Sequence, residues 1–312
     1  MSPVTNTLAV SGATLHYEVR GSGPVLLLIC GGVYDAAGYA GLAERLADRY
    51  TVVTYDRRGN SRSPLAGPPE PQPVETHGDD AARVLAAAGV TPDAPARVFG
   101  NSSGAIIGLE LAARRPELVR VLVAHEPPLF GLLPERDHWR EVMARVEEAF
   151  HESGPAAAHQ VFGASLAPAG DADAPGDASG GVAPSGQAAE DGGPDGPAPD
   201  RIPGGGEAPQ GEPDPETMAM LARLERNAAF FIGYEVPPFS RYVPDLTGLG
   251  RSTVPVVPAV GETSHGEPWV RATYALAEAL DTEPVPLPGD HGGFGADPAA
   301  FAARLHEILA TA

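Results

Sequence analysis

The sequence predicts an α/β fold, in which a mostly parallel central sheet with helices on both faces is interrupted by an inserted helical cap. Three observations lead to this prediction. Short apolar segments alternate with helical patterns over residues 1–128 and again over 241–312. Between these regions the hydrophobic pattern is helical only. One strand-to-helix junction, Gly100-Asn101-Ser102-Ser103-Gly104, carries a glycine-flanked serine, which is typical of a sharp turn that exposes a nucleophile.

Composition excludes several classes of function. The 312 residues, 43% of them hydrophobic, suffice for one large domain with an inserted subdomain. A net charge of -20 argues against binding to nucleic acid or to an anionic membrane surface, because both need a basic footprint. The single cysteine, Cys30, excludes an internal disulfide, and neither a signal-peptide pattern nor an apolar run of membrane-helix length is present. We therefore expect a cytoplasmic protein without nucleic-acid or membrane partners.

The first part of the predicted core, residues 1–128, opens with an antiparallel hairpin whose strands are 7–10 and 14–19. A continuous apolar run at 24–30 follows, and this pattern is typical of a strand buried on both faces. Strands and helices then alternate, which indicates parallel strands joined by right-handed crossovers. The predicted strands are 51–55, 96–99 and 119–124, and the predicted helices are 40–48, 74–88 and 105–113.

The middle region, residues 129–240, is predicted to be a helical cap. Two amphipathic helices carry apolar residues at helical spacing, the first at Trp139, Val142, Met143, Val146 and Phe150, the second at Met218, Leu221, Leu224, Ala228 and Phe231. Between them, about 167–215, glycine, proline, alanine and acidic residues dominate. Such a segment buries too little apolar surface to offset its ordering entropy, so it is predicted to be a disordered insert, and a passive linker is favoured over a partner-binding segment.

The α/β pattern returns in the second part of the core, residues 241–312. Strands are predicted at 254–260 and 283–287, and helices at 268–280 and 298–309. A loop at 289–294 contains His291. Prolines inside both strands suggest edge positions or bulges, because proline cannot donate a ladder hydrogen bond.

Four motifs together resemble the α/β-hydrolase superfamily over nearly the whole chain, apart from the acidic insert. They are the strand end Cys30-Gly31-Gly32-Val33, the loop 55–63, the turn around Ser102, and the loop Gly289-Asp290-His291-Gly292-Gly293-Phe294. The resemblance implies that Ser102 is the nucleophile and His291 its base. It also implies an oxyanion hole made by the backbone amides of Ser103 and Gly32, with Val33 as the alternative to Gly32. Cys30 stands where the family usually has histidine, and a buried small residue is favoured there over a second nucleophile.

The acid that completes the triad is ambiguous in the sequence. By the resemblance, the usual position after the seventh strand is Ser264, which cannot serve. Some family members take the acid from the end of the strand that follows the nucleophile helix, where this chain has Glu126. We favour Glu126, with Glu262 as the alternative acid. Glu267, Asp290 and the absence of any acid remain open.

The favoured function is a serine hydrolase that cleaves an ester, lactone or thioester of a small apolar substrate through an acyl-enzyme, with no cofactor and no metal. Serine at the nucleophile position argues against the epoxide hydrolases and dehalogenases of this fold, which use aspartate there. Aromatic residues near the end of the cap are candidates for an apolar acyl pocket: Phe230, Phe231, Tyr234, Phe239 and Tyr242. The alternatives are a non-catalytic ligand-binding protein and a perhydrolase or C–C hydrolase with the same serine. The oligomeric state is left open.

Overall fold

A computed structural model describes residues 2–166 and 215–311, with a central eight-stranded sheet. The strands are β1 (Val4–Val10), β2 (Ala13–Arg20), β3 (Val25–Ile29), β4 (Thr51–Tyr55), β5 (Ala96–Asn101), β6 (Val119–His125), β7 (Val256–Gly261) and β8 (Val285–Leu287). Their order in the sheet is β1-β2-β4-β3-β5-β6-β7-β8. Only the β1–β2 and β2–β4 pairs are antiparallel. The predicted α/β fold with a mostly parallel sheet is therefore confirmed.

Helices cover both faces of the sheet. Those of the core are α1 (Ala40–Leu46), α2 (Val74–Ala87), α3 (Ser103–Arg114), α9 (Pro268–Ala279), α10 (Gly293–Ala296) and α11 (Pro298–Thr311). Buried side chains of α2, α3 and α9 belong to one hydrophobic cluster, and those of α1, α10 and α11 to the other. Strand β3 separates the two clusters, and its residues Leu26, Leu27, Leu28 and Ile29 are completely buried. This explains why its sequence is a continuous apolar run.

Between β6 and β7 the described residues are mainly helical. The helices are α4 (Arg136–Ser153), α5 (Pro155–Leu166), α6 (Pro215–Phe230), α7 (Val236–Arg241) and α8 (Leu246–Arg251), with a π-helical turn at Phe231–Glu235. Helices α4 and α6 match the two predicted amphipathic helices. The sequence did not predict α5, because Ala158 is its one fully buried residue and its apolar face is weak. The predicted disordered insert, about 167–215, lies outside the described residues except for Pro215, where α6 begins.

The proline-based expectation for the last two strands is right for β8 and wrong for β7. β8 is the edge of the sheet, whereas β7 lies between β6 and β8. Its proline, Pro258, is tolerated because of register. The Glu126 amide donates to the Ala259 carbonyl, so Ala259 faces β6 and Pro258 faces the side of β8. Pairing with β8 begins only at Ala259, so the missing amide hydrogen of Pro258 breaks no ladder bond.

None of the described helices is both long and apolar enough to cross a bilayer.

Candidate active site

Ser102 occupies a strained turn between β5 and α3. Its backbone angles are φ 56° and ψ -126°, in a region that residues with a side chain rarely adopt. The turn closes only because its neighbours are glycines. A Cβ atom on Gly100 would overlap the carbonyl of Gly104, and a Cβ atom on Gly104 would overlap the carbonyl of Ile29 in β3. The Ser102 amide donates to the His125 carbonyl at 2.8 Å, which ties the turn to β6. The serine is thus held at the carboxyl edge of the sheet, where ligand sites of α/β folds form.

The main chain of His291 is bonded to this turn. The side-chain amide of Asn101, which directly precedes Ser102, donates to the carbonyl of His291 at 3.1 Å. The His291 ring is partly exposed, with 24% of the side chain accessible. Within the described residues no hydrogen bond joins the Ser102 hydroxyl to His291, and this contact is often long when no substrate is bound.

Glu126 contacts His291 directly. One carboxylate oxygen, Oε2, lies 2.6 Å from Nδ1 of His291, and the other, Oε1, accepts the Gly261 amide at 2.8 Å. The side chain is completely buried. Glu126 has φ 48°, a left-handed conformation uncommon for glutamate, which directs the carboxylate from the end of β6 toward the loop of His291. This arrangement matches the acid–histidine pair of a catalytic triad.

The other candidate acids are placed differently. Glu262 is exposed, and its backbone amide, not its carboxylate, is bonded within the sheet, to Leu287. The carboxylate of Asp290 accepts the amide of Gly292 at 2.9 Å, inside its own loop. Glu267 is half-buried at the start of α9. Of these carboxylates, the described residues bring only Glu126 within hydrogen-bonding distance of His291.

Electrostatics keep the Glu126 carboxyl ionised. Burial alone would raise its pKa, but the hydrogen bond with His291, the charges of the neighbouring histidines and the Gly261 amide outweigh burial and lower the pKa to about 2. His125 is completely buried beside it, and this burial lowers the pKa of His125 to about 4. At neutral pH His125 is therefore uncharged, and the carboxylate of Glu126 faces His291 as an anion.

The turn after β3 packs against Ser102, and the Gly32 amide in this turn already donates a hydrogen bond within the protein. A Cβ atom on Gly31 would lie 2.8 Å from the Cβ of Ser102, so the two segments touch. Gly32 has φ 53°, and its amide donates to the side-chain hydroxyl of Ser103 at 3.0 Å. The predicted oxyanion donor Gly32 thus meets an oxygen of the protein itself. The backbone amide of Ser103 opens α3 and has no partner within that helix.

Cys30 has a structural environment. Its thiol donates to the carbonyl of Asp35 at 3.0 Å, and the side chain is 1% exposed. Burial raises the pKa of the Cys30 thiol well above its ordinary value, so the thiol stays protonated. A reactive second nucleophile would need the opposite environment.

A buried ion pair beneath the turn was missed by the sequence analysis. Arg57 and Glu235 are both completely buried and joined by two hydrogen bonds, at 2.9 and 3.2 Å. Arg57 also donates to the carbonyls of Cys30 at 2.7 Å and Gly32 at 2.5 Å. Burial would lower the pKa of Arg57, but the Glu235 carboxylate outweighs it and raises the pKa. Arg57 lies in the loop 55–63, one of the four family motifs. Sequence spacing does not indicate that its partner is Glu235 on the cap.

The cap reaches the same turn a second time through Asn227 on α6. Its side-chain amide donates to the carbonyl of Val33 at 2.9 Å and accepts from the amide of Ser61 at 2.8 Å. Two of the cap aromatics predicted to line an acyl pocket contact buried or partly buried side chains of the core instead. Phe239 lies edge-on to the buried His77, and the hydroxyl of Tyr242 donates to Glu110 on α3. These two contacts favour a core role over the predicted acyl pocket.

Comparison with known proteins agrees with this fold. The family model described as alpha/beta hydrolase fold matches residues 24–167. The hydrolase YraK of Bacillus subtilis (strain 168), itself uncharacterized, is 37% identical over 308 residues, which cover 97% of this chain and 95% of that protein. The chain therefore belongs to the α/β-hydrolase family.

Solved structures support the fold. A thermophilic esterase from Thermogutta terrifontis aligns with a TM-score of 0.64 at 17% identity, covering 100% of this chain and 99% of that one. The carboxylesterase CesB of Bacillus subtilis aligns with a TM-score of 0.61 at 14% identity, covering 100% of this chain and 93% of that one. No cluster of three or more metal-ligating side chains occurs in residues 2–166 and 215–311.

Gly104→Ala is expected to destabilise the protein because the new methyl group would overlap the Ile29 carbonyl of β3. Overpacking of this kind costs about 1–3 kcal/mol in the free energy of unfolding, measured by urea denaturation. Gly163→Ala is the matched control, since Gly163 lies in α5 with nothing within 4 Å of a Cβ atom. The control should gain about 0.5–1 kcal/mol from helix propensity. Equal stability of the two variants would contradict close packing of the turn on β3.

The low pKa of Glu126 predicts a specific loss of stability in acid. Its folded-state pKa, about 2, lies below the ordinary 4.5, so the carboxylate stabilises the fold above about pH 5, and this contribution is lost as the pH falls toward 2. At 1.36 kcal/mol per pKa unit the full contribution is about 3 kcal/mol. Urea unfolding between pH 5 and pH 3 should therefore show a shallower pH dependence for Glu126→Gln than for wild type.

Glu262→Gln is the control for this measurement, because it removes an exposed carboxylate from the same edge of the sheet. Its stability should follow the wild-type curve. Parallel curves for wild type and Glu126→Gln would show that Glu126 is not held ionised by the fold.

Proposed function

We propose that this protein is a serine hydrolase acting on a carboxylic ester, lactone or thioester of a small apolar substrate, through an acyl-enzyme and a Ser102–His291–Glu126 triad. The observation that carries the proposal is the buried Glu126 carboxylate 2.6 Å from the ring of His291, together with the hydrogen bond between the His291 carbonyl and Asn101, the residue before Ser102. A structural histidine in a surface loop has no need of such a partner.

In the proposed reaction the Ser102 hydroxyl attacks the acyl carbon while Nε2 of His291 takes its proton. Glu126 holds the proton on Nδ1, so that Nε2 is the free base, and its negative charge stabilises the imidazolium that forms. His291 then passes the proton to the departing alcohol or thiol. Water, deprotonated by His291, attacks the acyl-enzyme and releases the acid together with Ser102. No cofactor or metal takes part in these steps.

The apolar character of the substrate is supported by an aromatic side chain beside the proposed base. The centre of the Trp269 ring lies 5.1 Å from the centre of the His291 ring. The net charge of -20 disfavours strongly anionic substrates by long-range repulsion. The T. terrifontis esterase and CesB carboxylesterase, which share the fold, agree with ester cleavage.

The test combines a fluorophosphonate probe with short-chain p-nitrophenyl esters. Wild type should be labelled and should hydrolyse esters, whereas Ser102→Ala should do neither, because the nucleophile is gone. Glu126→Gln should lower kcat by about 10³–10⁴-fold, since an amide favours the wrong histidine tautomer. Glu262→Gln serves as the matched control and should retain wild-type kcat.

Two outcomes would contradict the proposal. A strong loss of kcat in Glu262→Gln, with wild-type kcat in Glu126→Gln, would show that Glu262 and not Glu126 is the acid of the triad. A folded wild type that neither labels nor hydrolyses any ester would reject the hydrolase and favour a ligand-binding protein, to be pursued by ligand screening.

A further inference from the structure

The hydroxyl of Ser103 occupies the place where a backbone donor of the oxyanion hole would meet its ligand. Catalytic donors lie about 2.7–3.1 Å from the oxyanion. The Ser103 oxygen lies 3.0 Å from the nitrogen of Gly32, on the hydrogen of that amide. A Cβ atom on Gly31, one residue earlier, would lie 2.8 Å from the Cβ of Ser102, so this hydrogen bond joins the turn after β3 to the turn that carries the proposed nucleophile.

No hydrogen bond donated by the Ser103 hydroxyl is observed among the described residues. A serine hydroxyl donates one hydrogen bond and can accept two. Ser103 is 2% exposed and accepts from Gly32, and within the described parts of the chain its hydroxyl makes no other hydrogen bond. Buried donors without an acceptor are rare, which suggests that the acceptor arrives with the substrate.

We propose that the Ser103 hydroxyl is a catalytic residue that donates directly to the oxyanion, with the Gly32 amide polarising it from behind. This inference rests on the proposed serine-hydrolase function. The chain N–H···O–H···O⁻ is cooperative, because a hydroxyl that accepts a hydrogen bond donates a stronger one. Ser103 then supplies two donors, its backbone amide and its hydroxyl, and Gly32 acts through the second.

Ser103→Ala tests the proposal on p-nitrophenyl acetate. We expect kcat to fall on the order of 10²–10³-fold with little change in KM, a loss typical of one oxyanion-hole donor. The rate of fluorophosphonate labelling of Ser102 should fall in parallel, because the phosphoryl oxygen binds at the same place. Ser103→Thr keeps the hydroxyl and should recover much of both rates.

The ratio of the hydrolysis rates of an oxygen ester and the matching thionoester is a further measurement, and it would not change if the Ser103 hydroxyl had only a structural role. Sulfur accepts hydrogen bonds weakly, so wild type should strongly prefer the oxygen ester, and Ser103→Ala should show a smaller preference. Ser264→Ala is the matched control, since Ser264 is also a buried serine at this edge of the sheet. It should keep the wild-type rates and the wild-type preference.

Two results would overturn the proposal and can be told apart. If Ser103→Ala labels and turns over at the wild-type rate or faster, with unchanged oxygen-over-sulfur preference, then the hydroxyl only occupies the Gly32 amide, and the hydrolase proposal stands. If wild type itself neither labels nor hydrolyses, both proposals fail together.

Discussion

The ion pair between Arg57 and Glu235 is the interaction on which the arrangement of the site depends. A charge without any solvent exposure is tolerated only when it is fully partnered, and Arg57 meets this condition with the Glu235 carboxylate and the carbonyls of Cys30 and Gly32. Glu235 belongs to the π-helical turn of the cap, and irregular turns of this kind are frequent at functional sites. The cap cannot move away without stranding a buried charge, so the position of the cap and the conformation of the turn beside Ser102 are coupled.

The fold could be predicted largely because its information is local. Alternating apolar strands and helices located all eight strands to within a few residues, and two long amphipathic stretches located α4 and α6. The two misses have different physical causes. Helix α5 buries too few apolar side chains to give a helical pattern in the sequence. Pro258 is accommodated because β8 pairs with β7 only from Ala259 onward, which the sequence around Pro258 does not indicate.

The residue types of the candidate site could be predicted from the sequence, but the contacts between those residues could not. The glycines around Ser102 and the loop of His291 could be recognised in the sequence because close packing restricts which residue types can occupy these positions. Glu126 and Glu262 were harder to separate, since each ends a strand of the same sheet edge. Their difference is conformational: a left-handed backbone accompanies the buried carboxylate of Glu126, whereas Glu262 points outward. The bond between Gly32 and Ser103 and the partner of Arg57 likewise depend on contacts between distant segments.

The location of Glu126 has a consequence for the timing of protein synthesis. Ser102, Ser103, Gly32 and Glu126 all precede the cap, but the two groups bonded to the Glu126 carboxylate, the Gly261 amide and the His291 ring, are translated after it. The histidine follows the glutamate by 165 residues. At about 5–20 residues per second, a ribosome needs on the order of 10 s or more to cover that distance. During this interval the nascent chain carries its proposed nucleophile without its proposed base.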